Sequence, residues 1–195
     1  MPNGALAALL LLTSIAGAQD DLAIPDAAKP FVAAGTRPLA FEVADLNRDG
    51  RPDAILVLEP TLKAGEDAFA ERPRHLLVLV GQPDGTYSEA RRNTKAVYCS
   101  ACGGAMGDPF QGVTAGPGTF TVHNAGGSGW RWGVDYTFNY SRRDDTWQLV
   151  RVAETTFHAS DPKGSKDTVS TPPKHFGKID IAAFDPENWK NQGKR

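Results

Sequence analysis

Several protein classes require features that this chain lacks. There is no excess of positive charge: the formal net charge is -2, which argues against nucleic acid, a partner that calls for a basic stripe, and leaves no polybasic patch for anionic lipid. No apolar run approaches the roughly 20 residues needed to cross a bilayer, so no membrane span is expected. There are only two cysteines, Cys99 and Cys102. With no second cysteine pair and no paired-histidine spacing, a zinc site is not expected. No G-x-S-x-G elbow surrounds any serine. The glycine-rich stretch Gly103 to Phe110 lacks the Lys and Ser/Thr of a phosphate-binding P-loop and reads as a shaped loop. No long helical periodicity is present either.

The N-terminus carries an apolar run, Leu6 to Leu12, followed by Ala16-Gly17-Ala18, a small-residue cleavage pattern. Residues 1–18 therefore read as a secretory signal, although no Lys or Arg precedes the run. The expected location is periplasmic or secreted. In such a compartment Cys99 and Cys102 are expected to pair rather than stay free. A C-x-x-C can also serve thiol exchange, but redox pairs of this spacing sit at a helix N-terminus. Here two glycines follow instead.

Residues 19–38 are Ala- and Pro-rich and read as a lead-in with one helical turn near 26–32. From residue 39 the pattern is β. Leu39 to Val43 alternates, while Ala54 to Leu58 and His75 to Val80 are continuous apolar runs bounded by turn residues, as buried strands are. Asp84-Gly85 supplies a turn, with a strand from Tyr87 extending toward Tyr98. Residues 103–118 read as irregular loop. Thr119 to His123, Trp130 to Tyr140 and Trp147 to Phe157 then read as an antiparallel meander. In its middle strand Trp130, Trp132, Val134, Tyr136, Phe138 and Tyr140 recur at period two on one face, with Arg131 and Asp135 on the other. Residues 161–174 read as a polar linker and Lys178 to Ala182 as a short last strand.

The expected fold is all-β, with about eight strands: a blade-like antiparallel sheet (39–98) and a Trp-rich antiparallel meander (119–158) in one domain, 39–158. Residues 159–195 form a C-terminal linker and final strand.

One motif has specific chemistry. Asp45-Leu46-Asn47-Arg48-Asp49-Gly50-Arg51-Pro52-Asp53 places side-chain oxygens at relative positions 1, 3, 5 and 9, with the Arg51 carbonyl at position 7. Calcium is a hard cation that takes six to eight oxygens, and such a loop supplies several from few residues. Leu56 stands at position 12, where a helix-loop-helix site needs a bidentate Glu, so that version is excluded. The same residues also suit a tight turn with no ion.

The segment from Val43 to Val57 resembles an FG-GAP or VCBS-type repeat, the blade unit of integrin α-subunit propellers. Leu77 to Tyr87 is similar to the strand-turn-strand that follows in those repeats. The resemblance covers about residues 39–87 and implies a calcium loop between two strands, held by Asp45, Asn47, Asp49, Arg51 (through its carbonyl) and Asp53. Only one copy of the motif occurs, whereas a closed propeller needs several blades. The departure favours an isolated blade-like sheet fused to another β unit.

Other signals are weaker. Trp130, Arg131 and Trp132 follow Gly126-Gly127-Ser128-Gly129 and can form a ligand platform, since flat rings bind apolar faces at low entropy cost. Period two makes the face of Trp130 and Trp132 core by default. His123, His158 and His175 each lie near Ser, Asp or Asn, and read as surface or strand-end positions. Asp144 and Asp145 read as a hairpin tip.

No catalytic constellation emerges. The expected function is an exported, calcium-stabilised binding protein whose partner is a protein or a glycan, of inhibitor, immunity or adhesion type. The alternative is a calcium-dependent hydrolase of cell-wall or sugar polymers, for which Asp108, Asp135 and Glu154 are the candidate acids.

Overall fold

The computed structural model describes residues 22–67 and 70–193; the expected signal, residues 1–18, lies outside the described residues. Among the described residues the chain forms nine strands and three short 3-10 turns. Strands β1 (Thr36–Ala44), β2 (Asp53–Pro60), β3 (His75–Gly81) and β4 (Tyr87–Asn93) build a four-stranded antiparallel sheet in chain order. Strands β5 (Phe110–Gly116), β6 (Thr119–Gly127), β7 (Trp130–Ser141), β8 (Thr146–His158) and β9 (Asp161–Ser170) build a five-stranded one, also a simple meander. No helix of the described residues is long and apolar enough to cross a membrane.

The continuous apolar runs of β2 and β3 arise because both of their faces are covered. Ile55, Val57, Leu76 and Val78 point into the main core, where they meet Phe120, Val122, Tyr136, Phe138 and Leu149 of the second sheet. Ala54, Leu56, Leu58, Leu77 and Leu79 point the other way, where Phe31 and Val32 of the lead-in pack with Phe41 and Tyr87. Each fully buried side chain of this size contributes about 1.5–3 kcal/mol. The two sheets share one core.

Four stretches differ from the sequence expectation. Residues 110–116, read as loop, form β5; Gly112 sits there at φ +116°, beside a register shift, and its missing side chain hides the strand. Residues 161–170, read as linker, form β9, whose first nine residues are all exposed. An edge strand lying on solvent needs no apolar face. Residues 178–182 do not form a strand. They make a single bridge, Asp180 with Gln148, and turn at Ile181–Ala183 with the Asp180 carboxylate accepting from the Ala182 N–H. β4 also ends at Asn93, short of Tyr98.

The C-terminal segment closes the molecule. Phe176, Ile179, Ile181, Phe184 and Trp189 are all buried in the main core. The Asn93 amide donates to the carbonyls of Ile181 and Phe184, at 2.7 and 2.8 Å, and ties this segment to β4.

Candidate functional site

The acidic loop joins β1 to β2. Its Asp and Asn side chains fold back on the main chain. The two Asp45 oxygens accept from the N–H groups of Asp49 and Gly50, each at 3.0 Å. The Asn47 side-chain oxygen accepts from Asp49 N–H at 2.9 Å, and Asp49 accepts from Arg51 N–H at 2.9 Å. Gly50, at φ +87°, takes the left-handed conformation that a side chain would strain.

Asp53 is fully buried and clamps the loop shut, accepting from the N–H groups of Asn47 (3.0 Å) and Gly81 (2.9 Å). Burial pushes its carboxyl above the usual range, with the charge of Asp49 adding, although the Gly81, Asn47 and Leu46 N–H groups oppose. Asp49 is drawn the other way. Desolvation raises it, but the Arg51 N–H, the Asn47 amide and the Arg51 guanidinium together hold it below that range. The guanidinium lies 2.5 Å from the Asp49 carboxylate.

The donor set suits a hard cation, being oxygen throughout. Among the described residues no group of three or more His, Cys, Asp or Glu side chains is gathered as a metal cluster. Instead Asp49 faces Arg51, and Asp45 and Asp53 face backbone amides. An ion here would take Asn47 and the Arg51 carbonyl besides carboxylates, and would compete with the Arg51 guanidinium for Asp49.

The loop also reaches the second sheet. The Asp45 carbonyl accepts from Gly118 N–H at 2.8 Å, in the β5–β6 turn. The Leu46 carbonyl accepts from the indole of Trp147 in β8 at 2.9 Å, and Leu46 itself is buried in the core. Asp145 approaches from the β7–β8 hairpin. The Tyr140 hydroxyl donates to it at 2.6 Å and is pushed up to about 12, first by that bond, then by burial and the charges of Asp145 and Asp49. Asp144 is paired with Lys178.

No family model, no curated protein and no solved structure matches the chain. The likeness to FG-GAP repeats therefore rests on this loop and its flanking strands.

The remaining candidates lie apart. Cys99 and Cys102 are disulfide-bonded and close a turn in which Cys102 N–H donates to the Cys99 carbonyl. Trp130 is 69% exposed, its ring 5.2 Å from that of His158. Trp132 is half-buried on the same face, edge-on to Tyr98 at 5.6 Å; Gly126 lets it lie across β6, since a Cβ there would sit 2.7 Å from the indole. Arg131 alternates to the opposite face. The three acids do not converge. Asp108 binds the buried Arg74, which also binds Glu59. Asp135 binds His123 Nδ1 at 2.7 Å, and His123 Nε2 meets Thr114 at 3.0 Å. This relay bridges three neighbouring strands as a chain of cross-strand polar pairs. Glu154 stands opposite Val134 in the register, on the other face from Asp135. His158 and His175 bond within their own turns, to Ser160 and Thr171.

One site escaped the sequence. A groove of about 330 Å³ runs between β7, β8 and the C-terminal segment, lined by Tyr98, Trp132, Tyr136, Glu154, Glu187 and Trp189 among others. The Tyr98 and Tyr136 hydroxyls share a 2.9 Å hydrogen bond. Burial raises the Tyr98 hydroxyl above its usual range; the bond to Tyr136 opposes, and the charges of Glu154, Glu187 and Asp185 raise it further. Its residues come from four separated segments, so no local period announces it; clustered aromatics in a polar tail were the one available signal.

Proposed function

We propose that this chain is an exported binding protein stabilised by one calcium ion in the β1–β2 loop. The ligands are the side chains of Asp45, Asn47, Asp49 and Asp53 and the Arg51 carbonyl. The ion supplies positive charge to a carboxylate-rich loop and cross-links it. The observation that carries this reading is the loop's double attachment: its carboxylates organise its own amides, while its Asp45 and Leu46 carbonyls hold Gly118 and Trp147 of the other sheet. Ordering the loop thereby orders the seam between the sheets.

The binding role fits the aromatic groove and exposed Trp130 better than hydrolysis fits Asp108, Asp135 and Glu154, which are dispersed. The partner is a protein or a glycan. Thermal unfolding with calcium and with a chelator tests the ion: at a hundredfold over its dissociation constant it adds about 2.7 kcal/mol. A midpoint that does not move overturns the reading.

A further inference from the structure

The groove beside Tyr98 contains a clue to its own ligand. Lys190 extends over the Trp189 ring, its Nζ 5.0 Å from the centroid, and reaches the Glu154 carboxylate at 3.5 Å. An ammonium is thus already seated between an aromatic face and a carboxylate, on a side chain that is 62% exposed and free to leave. Ring faces attract cations through their quadrupole, and most strongly where water is partly excluded.

The charge at the groove is not balanced by that lysine. Asp185 is neutralised by Lys95 at 2.6 Å, and Lys190 faces Glu154. Glu187, an exposed residue, accepts no side-chain hydrogen bond and makes no ion pair among the described residues; the Lys95 charge reaches it as well as Asp185, and its carboxylate acts on the Tyr98 hydroxyl together with Glu154. Glu154, Asp185 and Glu187 thus face only Lys95 and Lys190, a net negative charge at a groove walled by Trp132 and Trp189.

We propose that this groove binds an organic cation, an alkylammonium group seated against Trp132 and Trp189 with its charge met by Glu154 and Glu187. Lys190 is the resident stand-in that such a ligand displaces. The volume of about 330 Å³ lies at the small end of ligand sites, suited to a head group or one side chain. The ammonium can come from a free amine or from a lysine of a partner protein. This proposal rests on the reading of the chain as a binding protein and is independent of the calcium loop.

The test is a titration of the folded chain, with calcium present and again with a chelator, followed by tryptophan fluorescence and by the indole N–H signals of Trp132 and Trp189. The probes are choline, its uncharged isostere 3,3-dimethylbutan-1-ol, acetyl-Gly-Lys-Gly-amide and chitotriose. We expect saturable shifts with choline or the lysine peptide and at least tenfold weaker ones with the isostere; whichever cation binds tighter identifies the source. Glu187→Gln should weaken binding several-fold, whereas Lys190→Ala, which removes the internal competitor, should strengthen it. A merely structural Lys190 would give the opposite sign. Equal binding of choline and its isostere, weaker binding in K190A, or shifts from chitotriose alone would overturn the proposal. Loss of the calcium effect on unfolding would leave these titrations unchanged and would sink only the loop assignment.

Discussion

Single side chains in the acidic loop separate what its oxygens do for the fold from the calcium ligation proposed for them. Asp49 bonds within the loop, to the Arg51 N–H, the Asn47 amide and the Arg51 guanidinium. The side chains of that ion pair are 27% and 44% exposed, pairs of that kind contribute about 0–1 kcal/mol, and an asparagine keeps an oxygen for the Arg51 N–H. Asp49→Asn should therefore leave the calcium-free unfolding midpoint nearly unmoved and remove most of the rise that calcium produces, read by calorimetry in both conditions. Arg51→Ala keeps the carbonyl but removes the guanidinium beside Asp49, so the rise on adding calcium should be larger than in the unaltered chain. Arg74 presents the opposite case. It is buried, donates to Glu59, Asp108 and the Tyr98 carbonyl, and lies 5.8 Å from the Phe110 ring centre. Removing one member of a buried ion network strands the others, at about 3–5 kcal/mol. Arg74→Ala should lose that much in denaturant unfolding. Acid should act on the same network. Desolvation raises the Asp108 carboxyl, but the Arg74 hydrogen bonds and charge and the Phe110 N–H outweigh it and hold it below its usual range. A depressed carboxylate contributes its full stability above the unfolded value of about 3.9 and loses it as pH falls through the folded one. The stability difference between the unaltered chain and Asp108→Asn should shrink across that acid window; a difference independent of pH would contradict the assignment.

Secondary elements show how far local pattern carries. β2, β3 and β7 were legible because burial on two faces or one writes itself as a run or an alternation. The β1–β2 loop was legible as a tight turn because Asp, Asn and Gly suit one, and the side-chain oxygens of Asp45, Asn47 and Asp49 do accept from its own N–H groups. β5 and β9 were not. β5 carries a glycine bulge, and β9 reads Asp-Pro-Lys-Gly-Ser-Lys-Asp-Thr-Val-Ser with nothing to bury until Ser170. The exposed edge of β9 is nevertheless consistent with its sequence: Lys163, Lys166 and Pro162 discourage a second chain from pairing there. Replacing both lysines by valine should leave the monomer folded but shift its elution toward larger species as concentration rises. Unchanged elution would show that this edge is protected by something other than its charges. The groove was illegible for a different reason. Tyr98, Trp132, Glu154 and Glu187 become neighbours only after both the meander and the tail are in place, and no spacing in the sequence encodes that meeting.

At the level of the whole molecule the decisive element is the one that sequence pattern described least well. The segment after β9 holds no strand, yet Phe176, Ile179, Ile181, Phe184 and Trp189 each expose 3% or less of their surface. Phe184 lies against both Tyr136 and Phe138, with ring centres 4.8 and 5.3 Å away, and Trp189 lies against Phe176 at 5.3 Å. The segment also satisfies Asn93 from the first sheet, while its Ile179 carbonyl accepts from Leu149 N–H in the second. It therefore acts as the third layer of the core, holding one edge of the seam as the acidic loop holds another. Five such side chains at about 1.5–3 kcal/mol each are comparable with the whole 5–15 kcal/mol that keeps a domain of this size folded. Ending the chain after Ser170 should therefore abolish cooperative unfolding, with loss of near-ultraviolet dichroism, and saturating calcium should not restore it, because about 2.7 kcal/mol at a hundredfold excess falls well short of the loss. A truncated chain that still melted in one sharp transition would mean that the two sheets close against each other without the tail, and the groove would then have to be regarded as an appendage to the core, not a consequence of it.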